Sequence, residues 1–322
     1  MADLPKVLLH NDQTEPLAAD LSERFPDIRF RECNTYEDVP TILEGFRPEI
    51  VYTVRFNGTP AYPRDALFEN DSVKWISNGG AGTDHFGIWD PSKVIVTNSA
   101  GVAADMMAEY VIGGFLHFTL DVPGFQSDQR QKIWRDRMVR PLKGKTLLIV
   151  GLGSTGRALA KRAKAFGMHV IGTRANPQAM ENVDRVAASD ALAELLPKAD
   201  FVAVSTPLTN KTRNLMDHAS FARMKNGVVL ADVSRGHVIL ESALIEALEN
   251  GTVGAAVLDV FEEEPLPRDN PLWGFENVLI SPHCSSVYEG WDEASFHLFL
   301  GNLERWIKGE DLNNVVDPER GY

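Results

Sequence analysis

Cysteine, long apolar runs and excess basic charge are scarce in this sequence, and each scarcity excludes a class of protein. The 322 residues include only two cysteines, Cys33 and Cys284, which are far apart and lack the spacing of metal ligands. A disulfide framework is therefore excluded, and a reducing compartment is expected. Nowhere do about 18 apolar residues follow one another, so no membrane span is expected.

The charge balance and the N-terminus exclude further classes. Acidic residues outnumber basic ones by 45 to 32, and the formal net charge is −13. A nucleic-acid-binding surface needs clustered Lys and Arg, so nucleic acid is not an expected partner. Residues 1–10 contain no basic stretch followed by a long apolar one, so no signal peptide is expected. The composition predicts a cytoplasmic protein without a metal site, long enough for two domains.

A glycine-rich turn between a predicted strand and a predicted helix organises the chain. The apolar run 146–150 predicts a buried strand, and Gly151, Gly153 and Gly156 follow it as G-x-G-x-x-G. Such glycines allow a tight bend, close approach of a pyrophosphate and close packing of helix on strand. A second apolar run, 168–172, completes the context that a dinucleotide site requires. The alternative is a plain corner between a strand and a helix.

Short apolar runs alternate with helical segments, which is typical of a parallel α/β layer. Four runs precede the glycine turn, at 6–10, 49–54, 74–77 and 94–97. Others follow the second strand, at 185–187, 201–205, 227–232, 255–259 and 277–280. Helices are predicted at 16–25, 105–118, 241–250 and 290–307, with a polar helix or arm at 126–138. The later series predicts a Rossmann-type doubly wound parallel sheet, preceded by a smaller α/β unit.

Polar side chains collect where the strands of the later series end, which is the edge that binds ligands in open parallel sheets. Arg235 suits a carboxylate because its guanidinium is a planar fork. His283 suits proton exchange near neutral pH, and a carboxylate such as Glu264 beside it would orient the ring and favour its charged form. Singly, these residues read as a surface charge, a turn residue and part of a solvated acidic run. Together they predict a catalytic site.

A second candidate loop lies in the first unit. The segment 78–84 (NGGAGTD) follows a predicted strand and contains three glycines. Such a loop exposes backbone N–H groups that hold a carboxylate. A flexible turn is the alternative, and the sequence leaves both open.

Three segments resemble the signatures of the D-isomer-specific 2-hydroxyacid dehydrogenases. They are Val233 to Ile239 (VSRGHVI), Leu258 to Leu266 (LDVFEEEPL) and Ser281 to His283 (SPH). Further segments are similar to the same family, namely 200–209 (DFVAVSTPLT), 212–214 (TRN), 82–84 (GTD) and 98–109. The similarity extends through nearly the whole chain and is strongest from Gly144 to Ser286.

The resemblance implies a catalytic trio. In it Arg235 binds the carboxylate and carbonyl of the substrate, His283 is the acid and base, and Glu264 supports His283. The backbone amides of Ala81 and Gly82 are implied to bind the substrate carboxylate. The resemblance also implies a homodimer and a discontinuous, flavodoxin-like substrate domain, 1–99 with 287–322, into which the dinucleotide-binding domain, 100–286, is inserted.

The resemblance implies a larger group of residues for the cofactor. Asp259 is expected to hold the nicotinamide carboxamide. The other expected contacts are Gly151, Gly153, Ser154, Thr155, Gly156, Thr173, Arg174, Ser205, Thr206, Pro207, Thr212, Val233 and His283. The family often has histidine at the position of Ser205 and asparagine at that of Asp232, and neither departure alters the trio.

Arg174 indicates which dinucleotide is preferred. An acidic residue about 20 positions beyond the glycine motif normally accepts hydrogen bonds from the ribose of NAD. Here the second strand leads into 172–176 (GTRAN), which contains no carboxylate. Arg174 would pair with a ribose 2′-phosphate, so NADP(H) is predicted to be preferred, with NAD(H) possible. The alternative is an exposed arginine beside a permissive site.

These features predict an oxidoreductase that interconverts 2-oxo acids and D-2-hydroxy acids. By resemblance, glyoxylate, hydroxypyruvate and larger 2-oxo acids are plausible substrates. The rival hypothesis is a non-catalytic, dinucleotide-sensing regulator, but a sensor has no need for Arg235, Glu264 and His283. Candidates for the pocket of the substrate side chain lie in 52–57 and 288–297. Within the latter, Trp291 is either a lid or, as we expect, part of the core.

Overall fold

The computed structural model describes residues 4–54, 62–318 and 320–321. By its internal contacts the chain divides into two compact units, Met1–Val102 with Glu289–Tyr322, and Ala103–Tyr288. We call them unit 1 and unit 2. None of the helices within the described residues is long and apolar enough to cross a membrane.

Unit 1 is a five-stranded parallel sheet covered by helices. Its strands are β1 (Val7–His10), β2 (Phe30–Cys33), β3 (Ile50–Thr53), β4 (Trp75–Asn78) and β5 (Ile95–Asn98), in the spatial order β2-β1-β3-β4-β5. Its helices are α1 (Glu15–Arg24), α2 (Val39–Phe46), α3 (Arg64–Glu69) and α10 (Trp291–Lys308). This strand order is that of flavodoxin-like folds, as expected.

Side chains of successive strand residues in unit 1 enter two different cores. On one face Leu9 of β1 packs with Leu21 of α1 and Phe299 of α10, whereas Leu8 packs on the other face with Leu43 of α2. Strands buried on both faces have nearly continuous apolar sequences, which is why periodicity identified four of them. No strand was predicted at β2, where two of the four residues are exposed, and the short helices α2 and α3 were not predicted either.

Unit 2 is a seven-stranded parallel sheet with helices on both faces. Its strands are β6 (Thr146–Val150), β7 (His169–Thr173), β8 (Arg185–Ala187), β9 (Phe201–Val204), β10 (Val228–Asp232), β11 (Val253–Leu258) and β12 (Val278–Ile280). Their spatial order is β12-β11-β10-β9-β6-β7-β8. The order reverses between β6 and β9, which is where such sheets bind ligands. The prediction of a Rossmann-type doubly wound sheet is therefore confirmed.

The helices of unit 2 are α4 (Ala104–Thr119), α5 (Val122–Gln131), α6 (Ser154–Ala165), α7 (Leu192–Leu195), α8 (His218–Phe221) and α9 (Glu241–Glu249). Phe115 of α4 and Leu159 of α6 pack on one face of the sheet, and Leu244 of α9 packs on the other. At Gly114 an added Cβ would lie 2.6 Å from Cγ2 of Val257. Gly114 therefore lets α4 pack closely on β11 of the same unit.

The predicted helix or arm at 126–138 is only half helical. The helix α5 ends at Gln131, and Lys132 takes a left-handed conformation with φ of 57°. Beyond it Arg135 and Arg137 turn back and bind the carboxylate of Asp128, at 2.6 Å for the shortest contact of each. Residues 132–139 are not helical, and these ion pairs, which periodicity does not reveal, hold Arg135 and Arg137 against α5.

Candidate active site

The glycine turn after β6 has the backbone geometry that its sequence predicts. Gly151 has φ of 103°, and an added Cβ there would lie 2.9 Å from the amide nitrogen of Thr206. An added Cβ at Gly156 would lie 2.2 Å from the carbonyl oxygen of Gly151. At Gly153, by contrast, an added Cβ would meet nothing within 4 Å. The outer glycines thus permit close packing, and the middle one faces open space where a pyrophosphate would need to approach.

The helix that follows offers unpaired amides at this turn. Ser154 and Thr155 begin α6, and the first amides of a helix lack partners within it. They carry partial positive charge, which favours a phosphate there. Ser205, at the end of β9, donates from Oγ to the carbonyl oxygen of Gly151 over 2.9 Å, so it braces the turn from the neighbouring strand.

The loop after β9 is held by a threonine. Thr212 donates from Oγ1 to the carbonyl oxygen of Pro207 over 2.6 Å and accepts from the amide of Thr209 over 2.8 Å. These bonds close residues 207–212 into a compact loop beside the glycine turn. Thr206 and Pro207 thus lie where the sheet changes order, and Thr212 lies in the loop that they begin.

The end of β7 brings an arginine without a carboxylate to this edge. Thr173 is the last strand residue and is buried, whereas the sequence placed it in the turn. The Arg174 amide donates to the carbonyl oxygen of Ala187, and its Nη1 donates to Sδ of Met180 at 3.9 Å. No carboxylate among the described residues pairs with Arg174. Asp184 is engaged elsewhere, since it accepts from the amide of Val170 over 2.7 Å.

The loop after β10 carries Arg235. Val233 is buried, and Nη1 of Arg235 donates to the carbonyl oxygen of Ser234 over 2.8 Å. Gly236 packs so closely on the next loop that an added Cβ would lie 1.9 Å from the carbonyl oxygen of Phe261. This packing brings the arginine loop against the segment that leads to Glu264.

His283 and Glu264 form a hydrogen-bonded pair of titratable side chains in the site. Nδ1 of His283 lies 2.8 Å from Oε2 of Glu264, and the two side chains are 35% and 34% exposed. Oε1 of Glu264 accepts from the amide of Phe261 over 3.1 Å. Burial by itself would raise the pKa of Glu264, but the hydrogen bond and charge of His283, the Phe261 amide and the charge of Arg235 together lower it. Glu264 is therefore an anion beside the imidazole.

Asp259 fixes the loop that carries His283. This carboxylate is 1% exposed, and its Oδ1 accepts from Oγ of Ser281 over 2.5 Å and from the amide of Cys284 over 2.8 Å. Its Oδ2 accepts from the amide of Ser285 over 3.0 Å. His283 has φ of 52°, and bonds on both sides of it hold this unusual conformation. The contact with a carboxamide remains a prediction for Asp259, whereas its anchoring of the loop is observed.

The loop 78–82 of unit 1 is ordered by its carbonyl oxygens. Nδ2 of Asn78 donates to the carbonyl oxygens of Gly80 and Gly82, over 2.9 and 2.8 Å, and Nδ2 of Asn98 donates to that of Ala81 over 2.8 Å. Within the described part of the chain, the amides of residues 80–82 have no acceptor. The loop is thus fixed with its N–H groups available, which favours an anion site over a flexible turn.

The proposed pocket for the substrate side chain is only partly described. Residues 55–57 lie outside the described residues. Tyr52 is fully buried and contacts Phe296, so it belongs to the core of unit 1. Trp291 is half-buried at the start of α10 and is neither the buried core residue that we expected nor fully exposed.

Two supporting residues were not recognised from the sequence. Tyr110 of α4 bonds Oγ of Ser281 over 2.6 Å, and Ser281 in turn bonds Asp259. Ser281 could have been recognised because it precedes the Pro-His pair. Tyr110 gives no such signal, since one tyrosine in an apolar helix is usually a core residue.

The residues at this edge fit a nicotinamide dinucleotide. The open space at Gly153 and the amides of α6 suit a pyrophosphate. Arg174 follows the neighbouring strand β7, at the same edge of the sheet. Among the described residues, no cluster of His, Cys, Asp or Glu suits a metal ion. The fold and the site therefore define a dinucleotide-binding protein in which a histidine–glutamate pair lies at the same edge of the sheet.

Comparisons with known proteins place the chain in a family. The model of the "D-isomer specific 2-hydroxyacid dehydrogenase, NAD binding domain" matches residues 112–285. A glyoxylate reductase of Thermofilum pendens is 34% identical over 257 residues, which cover 77% of this chain and 76% of the relative. A D-3-phosphoglycerate dehydrogenase of Methanocaldococcus jannaschii is 32% identical over 309 residues, 94% of this chain but 58% of the relative's length.

A solved structure agrees in fold. The D-isomer specific 2-hydroxyacid dehydrogenase of Xanthobacter autotrophicus Py2, in complex with NADPH and MES, matches with a TM-score of 0.85 and 30% identity, over 99% of this chain and 100% of that one. This chain belongs to the D-isomer specific 2-hydroxyacid dehydrogenase family. The family resemblance seen in the sequence is thereby confirmed.

Proposed function

We propose that this protein is an NADP(H)-preferring reductase that interconverts 2-oxo acids and D-2-hydroxy acids. The observation that carries the proposal is the His283–Glu264 pair, 2.8 Å apart, on the loops that follow β12 and β11. A dinucleotide-sensing regulator would not need a proton-exchanging pair, so the rival hypothesis does not explain why His283 and Glu264 are paired.

His283 is the proposed proton donor for reduction. Its Nδ1 is held by Glu264, so Nε2 is the nitrogen that exchanges a proton with the substrate. A bound reduced nicotinamide supplies the hydride. As the carbonyl π bond breaks, its carbon gains the hydride and its oxygen takes the proton from Nε2. The anionic Glu264 stabilises the imidazolium before transfer, and oxidation of the hydroxy acid reverses these steps.

Arg235 is the proposed ligand of the substrate carboxylate. A guanidinium binds a carboxylate through two parallel hydrogen bonds, and its charge polarises the neighbouring carbonyl. The amides of Ala81 and Gly82, in unit 1, are also proposed to bind a substrate carboxylate. Their orientation supports this role, because the carbonyl oxygens of the loop are engaged by Asn78 and Asn98.

Arg174 is the proposed basis of the preference for NADP(H). It has no carboxylate partner among the described residues, and no carboxylate occupies the turn where NAD-binding proteins usually have one. The relative from Xanthobacter autotrophicus was solved with NADPH, which supports the proposal. The name of the Thermofilum pendens relative makes glyoxylate a first substrate to test, followed by hydroxypyruvate and larger 2-oxo acids.

We also propose that the protein is a cytoplasmic homodimer. Both cysteines are free thiols, which suits a reducing compartment. Large apolar side chains are exposed along α5 and next to it, and we call them the arm patch: Leu120, Phe125, Ile133, Trp134, Met138 and Val139. Trp134 is 100% exposed and Met138 97%, and the ion pairs of Asp128 hold the segment in place. A rigid exposed apolar patch is typical of a protein interface.

The dimer is tested by sedimentation of two variants. Trp134→Asp together with Met138→Asp should shift the protein from dimer to monomer at micromolar concentration. Trp273→Asp changes an exposed tryptophan outside the patch, at 54% exposure, and should remain dimeric. A monomeric wild type, or a patch variant that stays dimeric, would exclude the arm patch as the interface.

The activity is tested by the loss of reduced-nicotinamide absorbance with a panel of 2-oxo acids. Wild type should oxidise NADPH with at least one of glyoxylate, hydroxypyruvate or a larger 2-oxo acid, and chiral analysis should find the D-hydroxy acid where the product is chiral. Binding of NADPH without turnover across the panel would favour the regulator. Turnover to the L-hydroxy acid would contradict the proposed stereochemistry.

A further inference from the structure

A buried carboxyl group lies directly behind Arg235. Asp232 is the last residue of β10 and is 3% exposed. Its Oδ1 accepts from the amide of Ser234 over 2.9 Å and from Oγ of Ser234 over 2.5 Å. The carbonyl oxygen of Ser234 accepts in turn from Nη1 of Arg235. One short chain of hydrogen bonds thus joins Asp232 to the guanidinium through a single serine.

The backbone around this chain is held on both sides. The carbonyl oxygen of Asp232 accepts from the amide of Asp259, and the carbonyl oxygen of Arg235 accepts from the amide of Val238. Gly236 packs on the carbonyl oxygen of Phe261. The arginine loop therefore has little freedom to move away when the charge behind it changes.

From this geometry we infer that Asp232 is a positioning residue for Arg235, and that its ionisation weakens binding of the substrate carboxylate at alkaline pH. The inference deepens the proposed function and rests on it. A neutral Asp232 leaves the guanidinium charge to the substrate. An anionic Asp232 attracts the guanidinium towards the strand and repels the incoming carboxylate.

The surroundings of Asp232 bring the pKa of its carboxyl group close to neutral pH. Burial raises the pKa of Asp232 to about 7, although the two hydrogen bonds from Ser234 and the charge of Arg235 act in the opposite direction and the charge of Asp259 adds to the increase. The other titratable groups at the cavity next to Asp232 are His237, Glu241 and Glu262. Both glutamates have donors elsewhere, since Glu262 binds the amide of Glu241 and Glu241 binds Nδ2 of Asn270.

The test compares binding of oxamate, an unreactive isostere of a 2-oxo acid, to wild type and Asp232→Asn saturated with NADPH, from pH 5.5 to 8.5. Asparagine keeps an acceptor for Ser234 and cannot ionise. The two proteins share every other titratable group, so the ratio of their dissociation constants isolates Asp232. We expect the ratio of wild type to variant to be near one at pH 5.5 and to rise about three- to tenfold by pH 8.5, as for one added like charge in a partly buried site.

A second variant moves the transition without removing the carboxyl. Ser234→Ala deletes the hydroxyl that stabilises the anion, so the alkaline weakening of oxamate binding should shift to higher pH. Asp217→Asn is the matched control, because Asp217 caps α8 through the amide of Ser220 and lies outside this site. It should overlay the wild type at every pH.

The outcomes separate the two proposals. A ratio that does not vary with pH, or a Ser234→Ala transition that does not move, overturns the role of Asp232 and leaves the reductase proposal standing. Failure of wild type to bind oxamate at any pH overturns the proposed 2-oxo acid site and the role of Asp232 with it.

Discussion

Oε2 of Glu264 lies 2.8 Å from Nδ1 of His283, and Oε1 of the same carboxylate is fixed by the amide of Phe261. The carboxylate is thus bound on both oxygens, one to backbone and one to the imidazole. Such a partner fixes the ring and the identity of its exchangeable nitrogen. The proposed chemistry depends on this relationship, and it is the first to test by substitution.

Glu264→Gln should move the pH dependence of catalysis in both directions of the reaction. Reduction requires the charged ring and should slow as pH rises, whereas oxidation requires the neutral ring and should slow as pH falls. Removing the carboxylate charge destabilises the charged ring, so both transitions should move to lower pH. The measurement is kcat/KM against pH, with Glu263→Gln as control. A Glu264→Gln profile that coincides with wild type would remove Glu264 from the site.

Arg235→Lys tests the fork geometry at constant charge. Lysine cannot form two parallel bonds to a carboxylate, so kcat/KM for 2-oxo acids should fall by about 10- to 100-fold, as for loss of a charged hydrogen bond of about 1.5–3 kcal/mol. The affinity for NADPH, followed by its fluorescence, should hardly change. A loss of less than about threefold, well under 1 kcal/mol, would argue against carboxylate binding by Arg235.

Arg174→Asp should reverse the preference between the two dinucleotides. The new carboxylate repels a 2′-phosphate and accepts bonds from the ribose hydroxyls of NADH. Wild type should favour NADPH by about 10- to 100-fold through KM, and added salt should weaken NADPH binding more than NADH binding. Arg223→Asp makes the same charge change at an exposed residue after α8 and should leave the ratio unaltered. Equal efficiency of wild type with both cofactors would make Arg174 a bystander.

Asp232 should also link the stability of the fold to pH. Its pKa is raised to about 7 in the folded state, so the folded protein keeps a proton that the unfolded chain loses near pH 4. Its contribution is complete below about pH 4 and is lost as pH rises to about 7. The free energy of unfolding of wild type relative to Asp232→Asn should fall by up to about 4 kcal/mol over this range. The free energies come from urea titrations at each pH. If the free energies of unfolding of wild type and Asp232→Asn vary with pH in the same way, the raised pKa of Asp232 is contradicted.

The sequence predicted the parts of this molecule that depend on local pattern. Apolar runs such as 146–150 enter a sheet buried on both faces, and Gly151 and Gly156 are required by close backbone contacts. It did not predict β2, which has little apolar pattern. It also did not predict the end of α5. The ion pairs of Arg135 and Arg137 with Asp128 join residues seven and nine positions apart, and apolar periodicity does not reveal such pairs.

Within the site, the sequence identified side chains but not their supports. Arg235, Glu264 and His283 stood out because their residue types suit the chemistry. The roles of Ser234 and Tyr110 depend on distances of 2.5 and 2.6 Å to Asp232 and Ser281, which only the folded chain defines. The ionisation of Asp232 likewise depends on burial, which a residue type does not reveal.

Proton donation by His283 is tested by comparing wild type with His283→Asn in single turnovers of NADPH with the best 2-oxo acid of the panel. Asparagine cannot supply the proton, so the rate of NADPH oxidation should fall by about 10²- to 10⁴-fold while the binding of NADPH stays near the wild-type value. A His283→Asn enzyme that reduces the 2-oxo acid within about threefold of the wild-type rate would contradict proton donation by His283 and the proposed reductase mechanism.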